Sequence, residues 1–180
     1  MSIFVTGCLA SSGNAYAIGN IFHPQIIENP IPENSPNTLC VNKDKIYSKA
    51  IFLGYIKYQR GDVKYSWQTL SKETNDIITS DFQNSDLTVY LLIKDPALKN
   101  YGNYQVVYHG NKYSPFEIYG HYIDIYAFDW RTKQFLGSAK VSAKDPSFNY
   151  DYVEQENDGK GVILDSTIMY AILDEYNFKC

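Results

Sequence analysis

Residues 116–141 constrain the fold more than any other stretch of the chain. Between Ile118 and Phe128 nearly every residue is β-branched or aromatic, and such side chains pack well on a pleated sheet. Successive side chains of a strand point to opposite faces, so the apolar residues of this stretch fall on both faces. Such a strand is typical of the centre of a sheet that is covered on each side. The pattern therefore predicts a central strand, with a partner strand returning from Phe135 to Val141.

Residues 129–134 join these two strands and have the composition of a tight turn. The short side chains of Asp129 and Thr132 can hydrogen-bond the backbone of a turn. The segment resembles the D-x-x-T-G-K hairpin turn that is common in bacterial β-proteins, with Lys133 at the position where glycine usually stands. This resemblance implies a hairpin and nothing about activity.

Further segments have the composition of strands and of the turns between them. The predicted strands are residues 46–59, 63–70, 87–94 (ended by Asp95 and Pro96) and 104–108, with turns at 60–62 and 109–112. Residues 71–83 fit a short helix and a long loop equally well, and residues 144–161 fit a loop.

Near the C-terminus, apolar residues recur with helical spacing over residues 163–176. Asp165 or Ser166 is the predicted N-cap of this helix. We therefore expect a single domain of the α+β class at residues 43–180, in which one C-terminal helix packs on a mainly antiparallel β-sheet.

Residues 1–42 differ in composition from the rest of the chain. Val5-Thr6-Gly7-Cys8 resembles the lipobox of bacterial lipoproteins, in which the cysteine is lipidated and becomes the mature N-terminus. The resemblance implies lipidation of Cys8 and a tether after it, continued by a proline-rich irregular connector up to residue 42. The sequence departs from the pattern because no Lys or Arg precedes Lys43. An A-x-A cleavage site at residues 15–17 is a second export interpretation, and a cytoplasmic chain is the alternative to export.

The chain contains three cysteines, which is an odd number for a secreted protein. If Cys8 carries lipid, Cys40 and Cys180 remain as a possible disulfide. By the chain-entropy estimate, a bridge that closes a loop of this length contributes roughly 4–5 kcal/mol. The alternative is two unrelated thiols. The sequence has no CxxC motif and no Cys/His spacing suited to zinc.

Charge and composition exclude several classes of ligand. The net charge of −4 argues against nucleic-acid binding, which needs a basic face. Arg60 and Arg131 are the only arginines, so a guanidinium-lined phosphate site is not expected. No apolar stretch reaches the roughly 18–20 residues that span a bilayer, so membrane contact is expected only through a lipid anchor.

Tyrosines are abundant, with 17 in the chain, and they cluster around the predicted hairpins. Tyrosine combines a large contact area with a polar tip and is enriched at binding surfaces. Tyrosine is also a good strand former, which explains the same cluster without a ligand. The predicted binding residues are Tyr104, Tyr108, Tyr113, Tyr119, Tyr122 and Tyr126.

The sequence predicts no catalytic residue, metal site or cofactor. His121 near Asp124 or Asp129 is a weak acid–base candidate, because Asp124 lies on the opposite face of the strand. His109 lies in a predicted glycine turn. The carboxylates at residues 151–158 lack the spacing and central glycine of an EF-hand calcium loop, so they read as a solvated loop.

These observations favour a non-enzymatic lipoprotein on the periplasmic side of the bacterial cell envelope. Its tyrosine-rich sheet surface would bind a glycan or a protein partner, as an accessory subunit or an immunity-type inhibitor does. The alternative is a small periplasmic hydrolase that uses His121 or His109 with a nearby carboxylate.

Overall fold

The computed structural model of the chain describes residues 7–32, 39, 49–56, 66–70, 87–104, 107–108, 110–112, 115–144, 146, 153–155 and 160–176. Two helices lie in these residues: α1 (Gly7–Glu28) and α2 (Asp165–Glu175). The strands are β1 (Lys49–Ile56), β2 (Ser66–Thr69), β3 (Leu87–Tyr104), β4 (Val107–Tyr108), β5 (Asn111–Lys112), β6 (Phe116–Asp129), β7 (Phe135–Val141), β8 (Val153–Gln155) and β9 (Gly161–Ile163). Residues 57–65 and 71–86 hold the predicted turn at 60–62 and the predicted helix or loop, which therefore lie outside the described residues.

The main sheet has the strand order β2-β1-β3-β6-β9-β8, and β7 pairs with β6 beside this path. β1 pairs antiparallel with β2, and β8 pairs antiparallel with β9. β1 with β3 and β6 with β9 form parallel pairs, which the sequence did not predict. The predicted α+β class, with a C-terminal helix on the sheet, is confirmed.

The β6–β7 hairpin was predicted from the sequence and is confirmed. The backbone N–H of Asp129 donates to the carbonyl of Gln134 at 2.9 Å. The carboxylate of Asp129 accepts from the N–H of Thr132 at 2.9 Å, and the Thr132 hydroxyl accepts from the N–H of Gln134 at 3.4 Å. Lys133 has a φ of 58°, the left-handed conformation for which glycine is usually chosen. The missing glycine of the turn motif is thus replaced by a strained lysine.

The chain divides into two compact units, and the first comprises residues 1–93, 124–140 and 177–180. Its core joins one face of α1 to strands β1, β3 and β6. The buried members are Ala15, Ile18, Phe22, Ile51, Leu53, Leu87, Val89, Leu91, Tyr126 and Phe128. Residues 1–42 were expected to be a signal remnant, a tether and an irregular connector, whereas residues 7–28 form α1. Apolar residues at positions 15, 18, 22 and 26 recur at helical spacing, and their burial stabilises a segment whose small polar residues suggested a linker.

The second unit comprises residues 94–123 and 141–176. In it, α2 buries Ile168, Met169 and Ile172. A Cβ added at Gly120 of β6 would lie 2.8 Å from Ile168 Cδ1, so α2 packs closely on this strand. The predicted capping role of Asp165 or Ser166 is wrong, because the N-cap is Leu164 and no side chain caps the helix. Asp165 instead forms an ion pair with Lys94 at 3.2 Å.

Two segments that were not expected to form strands do so, the second of them only in part. β3 continues through Asp95 and Pro96 to Tyr104. Its described pairing with β1 ends at Ile93, so Pro96 removes no hydrogen bond from that ladder. The Asp95 carboxylate accepts from the N–H of Ala97 at 2.6 Å and satisfies a backbone donor beside the proline. The segment 144–161, expected to be a loop, contains β8.

Because of Tyr90 on β3, the free energy of unfolding of the first unit decreases as the pH rises into the alkaline range. It is 2% exposed and stacks on Phe52 with a centroid distance of 4.9 Å. Burial raises the pKa of Tyr90 from 10.0 to about 12. The folded state therefore keeps this proton after the unfolded chain has lost it, and stability on the order of 2 kcal/mol is lost as the pH rises from 10 to 12.

We expect Tyr90→Phe to flatten this pH dependence, because phenylalanine keeps the stacked ring and removes the ionisable group. Urea unfolding between pH 8 and pH 11.5 measures it. Tyr16→Phe, at a half-exposed position, is the matched control. An alkaline slope that is the same in Tyr90→Phe and in the wild type would contradict the assignment.

Candidate functional site

The candidate site is a row of side chains on one face of β6 in the second unit. Glu117, Tyr119 and His121 alternate with Ile118 and Gly120, so they share one face of the strand. Ile118 and Gly120 are buried, whereas Glu117 is exposed and Tyr119 and His121 are half-buried. The core-facing side of β6 thus fixes the position of the polar row.

A directional chain of hydrogen bonds runs through this row. The Tyr119 hydroxyl donates to Glu117 Oε2 at 2.6 Å and accepts from Asn100 Nδ2 at 3.3 Å. The Asn100 side-chain oxygen in turn accepts from the N–H of Gly102 at 2.6 Å. Gly102 has a φ of 99°, which lets the backbone of β3 bring this donor to the asparagine. The bonds fix the Tyr119 hydroxyl and the Asn100 amide in one orientation.

A cation and an imidazole flank the chain. Lys160 Nζ lies 5.5 Å from the centroid of the Tyr119 ring, within the range of a cation–π contact. Lys160 immediately precedes β9, whose Gly161 pairs with Ile118. The Nδ1 of His121 lies 2.8 Å from the carbonyl oxygen of Asp95, which can only accept, so Nδ1 carries the proton. In the neutral ring, Nε2 is then the acceptor.

A second polar cluster in this unit holds the segment that follows β7. Lys99 Nζ donates to the carbonyl of Ala143 at 2.8 Å and lies 3.3 Å from Ser142 Oγ. The Tyr101 hydroxyl donates to Ala143 O at 3.0 Å, and the Tyr176 hydroxyl donates to Ser142 O at 2.8 Å. These bonds tie residues 142–143 to β3 and to the end of α2, which is a structural role.

Electrostatics in this second cluster keep its phenols neutral. Burial raises the pKa of Tyr101, and the Glu175 carboxylate raises it further. Burial also raises the pKa of Tyr176, and Glu175 adds to the effect. Lys99 also lies 4.8 Å from the centroid of the Tyr101 ring. A carbonyl acceptor and an aromatic face are the surroundings of an ammonium ion, so Lys99 is not placed as a base for Ser142.

The structure separates the tyrosines that the sequence grouped as a binding surface. Tyr119 lies in the candidate site, and Tyr104 and Tyr122 are half-buried. Tyr126 is 5% exposed and belongs to the core around α1, so its prediction as a binding residue is wrong. A strand that is covered on both faces buries its tyrosines as well as its aliphatic residues. The side chains of Tyr108 and Tyr113 lie outside the described residues.

The predicted acid–base candidates do not form a pair. The contact described for His121 is with a main-chain oxygen, and the Asp129 carboxylate is 3% exposed and engaged in the hairpin turn. His109 and the proposed Cys40–Cys180 bridge lie outside the described residues. Cys8 lies in the first turn of α1, where only its backbone is described.

Sequence reasoning missed three members of the site: Asn100, Glu117 and Lys160. Glu117 was detectable, because it lies two residues before Tyr119 on the same strand face. Asn100 and Lys160 come from β3 and from the residue before β9, and nothing in the linear sequence links either of them to Tyr119.

Neither a metal-binding cluster nor a membrane-spanning helix occurs in the part of the chain that the structure describes. There, no three His, Cys, Asp or Glu side chains are grouped so that they could hold a metal ion. Neither of the two described helices combines the length and apolar character that a membrane-crossing segment needs. Comparison of the chain with protein-family models, with curated proteins and with solved structures finds no match.

Proposed function

We propose that this protein is a non-enzymatic binding protein whose ligand is a glycan, bound at the Glu117–Tyr119–Asn100–Lys160 surface. The observation that carries the proposal is the fixed chain of hydrogen bonds through the Tyr119 hydroxyl. Side chain–side chain hydrogen bonds are a small share of those in proteins, and ordering exposed side chains costs entropy. Polar groups held in place before a ligand arrives lower the entropic cost of binding it.

The chemistry of the surface suits a sugar. A pyranose presents an apolar C–H face and hydroxyl groups that both donate and accept. The Tyr119 ring offers a flat apolar contact, the Glu117 carboxylate accepts from hydroxyl groups, and the Asn100 amide offers a donor and an acceptor. Lys160 adds a donor beside the ring.

Charge favours a glycan over other classes of ligand. Glu117 and Lys160 together contribute no net charge, whereas a nucleic-acid surface needs a surplus of cations. The centre of a protein–protein interface is usually depleted of charged residues, and Glu117 and Lys160 both contact Tyr119. A protein partner is therefore the less favoured ligand at this site.

We place the protein in the bacterial cell envelope on the strength of the lipobox-like residues 5–8. In this proposal Cys8 carries the lipid and starts α1, and Cys40 and Cys180 are oxidised. Intact-mass analysis of the full chain from a bacterial host, with and without reductant, tests both points. Three alkylatable thiols on an unprocessed chain would contradict them and favour the cytoplasmic alternative.

Glycan binding is tested on an array of bacterial envelope oligosaccharides, followed by calorimetric titration of the sugars that bind. We expect Tyr119→Ala to weaken binding at least tenfold, since it removes the ring and frees both hydrogen-bond partners. Glu117→Gln should weaken binding by about tenfold, which corresponds to about 1.4 kcal/mol, because a charged acceptor is replaced by a neutral one.

Tyr170→Ala is the matched control, because Tyr170 is a 45% exposed tyrosine on α2 of the same unit. Its affinity should equal that of the wild type. Equal losses in Tyr119→Ala and Tyr170→Ala would contradict the site. If no sugar binds, and if the chain instead captures an envelope protein and loses it in Tyr119→Ala, the ligand of this site is a protein and not a glycan.

A further inference from the structure

Leu98 and His121 adjoin the candidate site on the neighbouring strands β3 and β6. The carbonyl of Asp95 contacts His121, whereas the Asn100 side chain contacts Tyr119. Residue numbers therefore rise along β3 as they fall along β6. Leu98 lies between Asp95 and Asn100, so its level in the sheet is between those of His121 and Tyr119.

Leu98 is exposed on the face that carries the candidate site. Side chains alternate along a strand, and Asn100, two residues further on, contacts Tyr119 on this face. Lys99 and Tyr101 alternate with these residues and hold the segment after β7 instead. The Leu98 side chain is 37% exposed, so it offers an apolar contact beside the Tyr119 ring.

His121 supplies a hydrogen-bond acceptor at one end of the polar row. Its Nδ1 donates to the Asp95 carbonyl at 2.8 Å, which fixes the orientation of the ring. Among the described residues, Nε2 has no hydrogen-bond partner, and the side chain is half-buried. A sugar hydroxyl can donate to this nitrogen.

The row is longer than one sugar unit. The Cα atoms of Glu117 and His121 are about 13 Å apart, since a strand rises about 3.3 Å per residue. One pyranose ring on Tyr119 covers only the part of this length that includes Glu117 and Asn100. The remaining part repeats the same combination of groups, because Leu98 offers an apolar contact and His121 an acceptor.

We propose that the ligand is an oligosaccharide of at least two sugar units that lies along β6, and that Leu98 and His121 form the subsite for its second unit. This inference rests on the glycan-binding function proposed above. It adds that the affinity depends on the length of the sugar chain, and it names the residues that read this length.

Calorimetric titration tests the dependence on length. The probes are N-acetylglucosamine with its β-1,4-linked dimer and trimer, and the tightest-binding array sugar cut to one, two and three units. In the series that binds, we expect two units to bind about tenfold more tightly than one, because the second unit adds contacts with Leu98 and His121.

Two substitutions test the subsite itself. His121→Asn keeps a donor near the position of Nδ1 and removes Nε2, so it should weaken binding of the two-unit sugar about fivefold and leave the one-unit sugar unaffected. Leu98→Ala should have the same selective effect. Tyr119→Ala should weaken binding of both sugars. His23→Asn, at an exposed position of α1, is the matched control and should bind as the wild type does. Circular dichroism checks that the variants remain folded.

The outcomes separate this inference from the function on which it rests. Equal affinity for one and two units would overturn the subsite and leave glycan binding at Tyr119 intact. A loss in His121→Asn that is the same for both lengths would also overturn it, since a merely structural role has no dependence on length. Absence of binding to every sugar would overturn the proposed function, and the subsite with it.

Discussion

Phe22→Ala is expected to destabilise the protein by about 3–5 kcal/mol, the usual loss for a fully buried phenylalanine. Phe22 has no exposed surface, and its ring stacks on Phe128 with a centroid distance of 4.3 Å. Phe22 also makes a T-shaped contact with Trp130, with a centroid distance of 6.2 Å. Alanine would leave a cavity between α1 and the sheet, because the β6–β7 hairpin is held by its own hydrogen bonds and cannot collapse into the space.

Urea unfolding, followed by tryptophan fluorescence, measures this loss. Ile21→Ala is the control, because Ile21 neighbours Phe22 on α1 but is 45% exposed. We expect its effect to stay below about 1 kcal/mol. The comparison also distinguishes a core helix from a tether. If residues 7–28 were a tether, both substitutions would leave the free energy of unfolding unchanged.

Gly120→Val is expected to destabilise the protein by about 3 kcal/mol, at the upper end of the range for overpacked cores. A Cβ at position 120 would lie 2.8 Å from both Ile168 Cδ1 and Tyr101 Cε2. The Tyr101 ring cannot retreat freely, because its hydroxyl is bonded to Ala143 O. Valine adds two methyl groups beyond this Cβ, so α2 must move away from β6.

A double-mutant cycle with Ile168→Ala shows whether the clash is the cause. Ile168→Ala alone should cost about 2–5 kcal/mol, because Ile168 is fully buried. In the double variant the smaller side chain makes room for valine, so the combined loss should be less than the sum of the two single losses by at least 1 kcal/mol. Strict additivity would mean that the cost of Gly120→Val arises elsewhere.

The sequence predicted those elements that are determined by residues close together in the chain. The run of β-branched and aromatic residues at 118–128 places apolar side chains on both faces and predicted a strand that is covered on each side. Asp129 and Thr132 predicted the turn that their hydrogen bonds close. The spacing of Ile168 and Ile172 predicted α2. In each case, residues that are close together in the chain both give the sequence pattern and form the element that it predicts.

Features that depend on distant residues were missed or misjudged. α1 looked like a tether because its small and polar residues obscure a stripe whose partners, such as Phe128, lie about 100 residues away. Tyr126 looked like a surface residue because a tyrosine pattern does not reveal which face is covered. Only half of the candidate site could have been predicted from the sequence. Glu117 and Tyr119 lie on the same strand, β6, whereas Asn100 and Lys160 come from distant parts of the chain that the sheet topology brings close to it.

α1 contacts residues that are far from it in the sequence, and this affects how the chain folds. The Gln25 side chain donates to the carbonyl of Lys133 at 2.9 Å, across a sequence separation of 108 residues. During synthesis, the apolar face of α1 leaves the ribosome long before the hairpin that covers it has been made. The core of the first unit therefore cannot be completed until the β6–β7 hairpin has been synthesised.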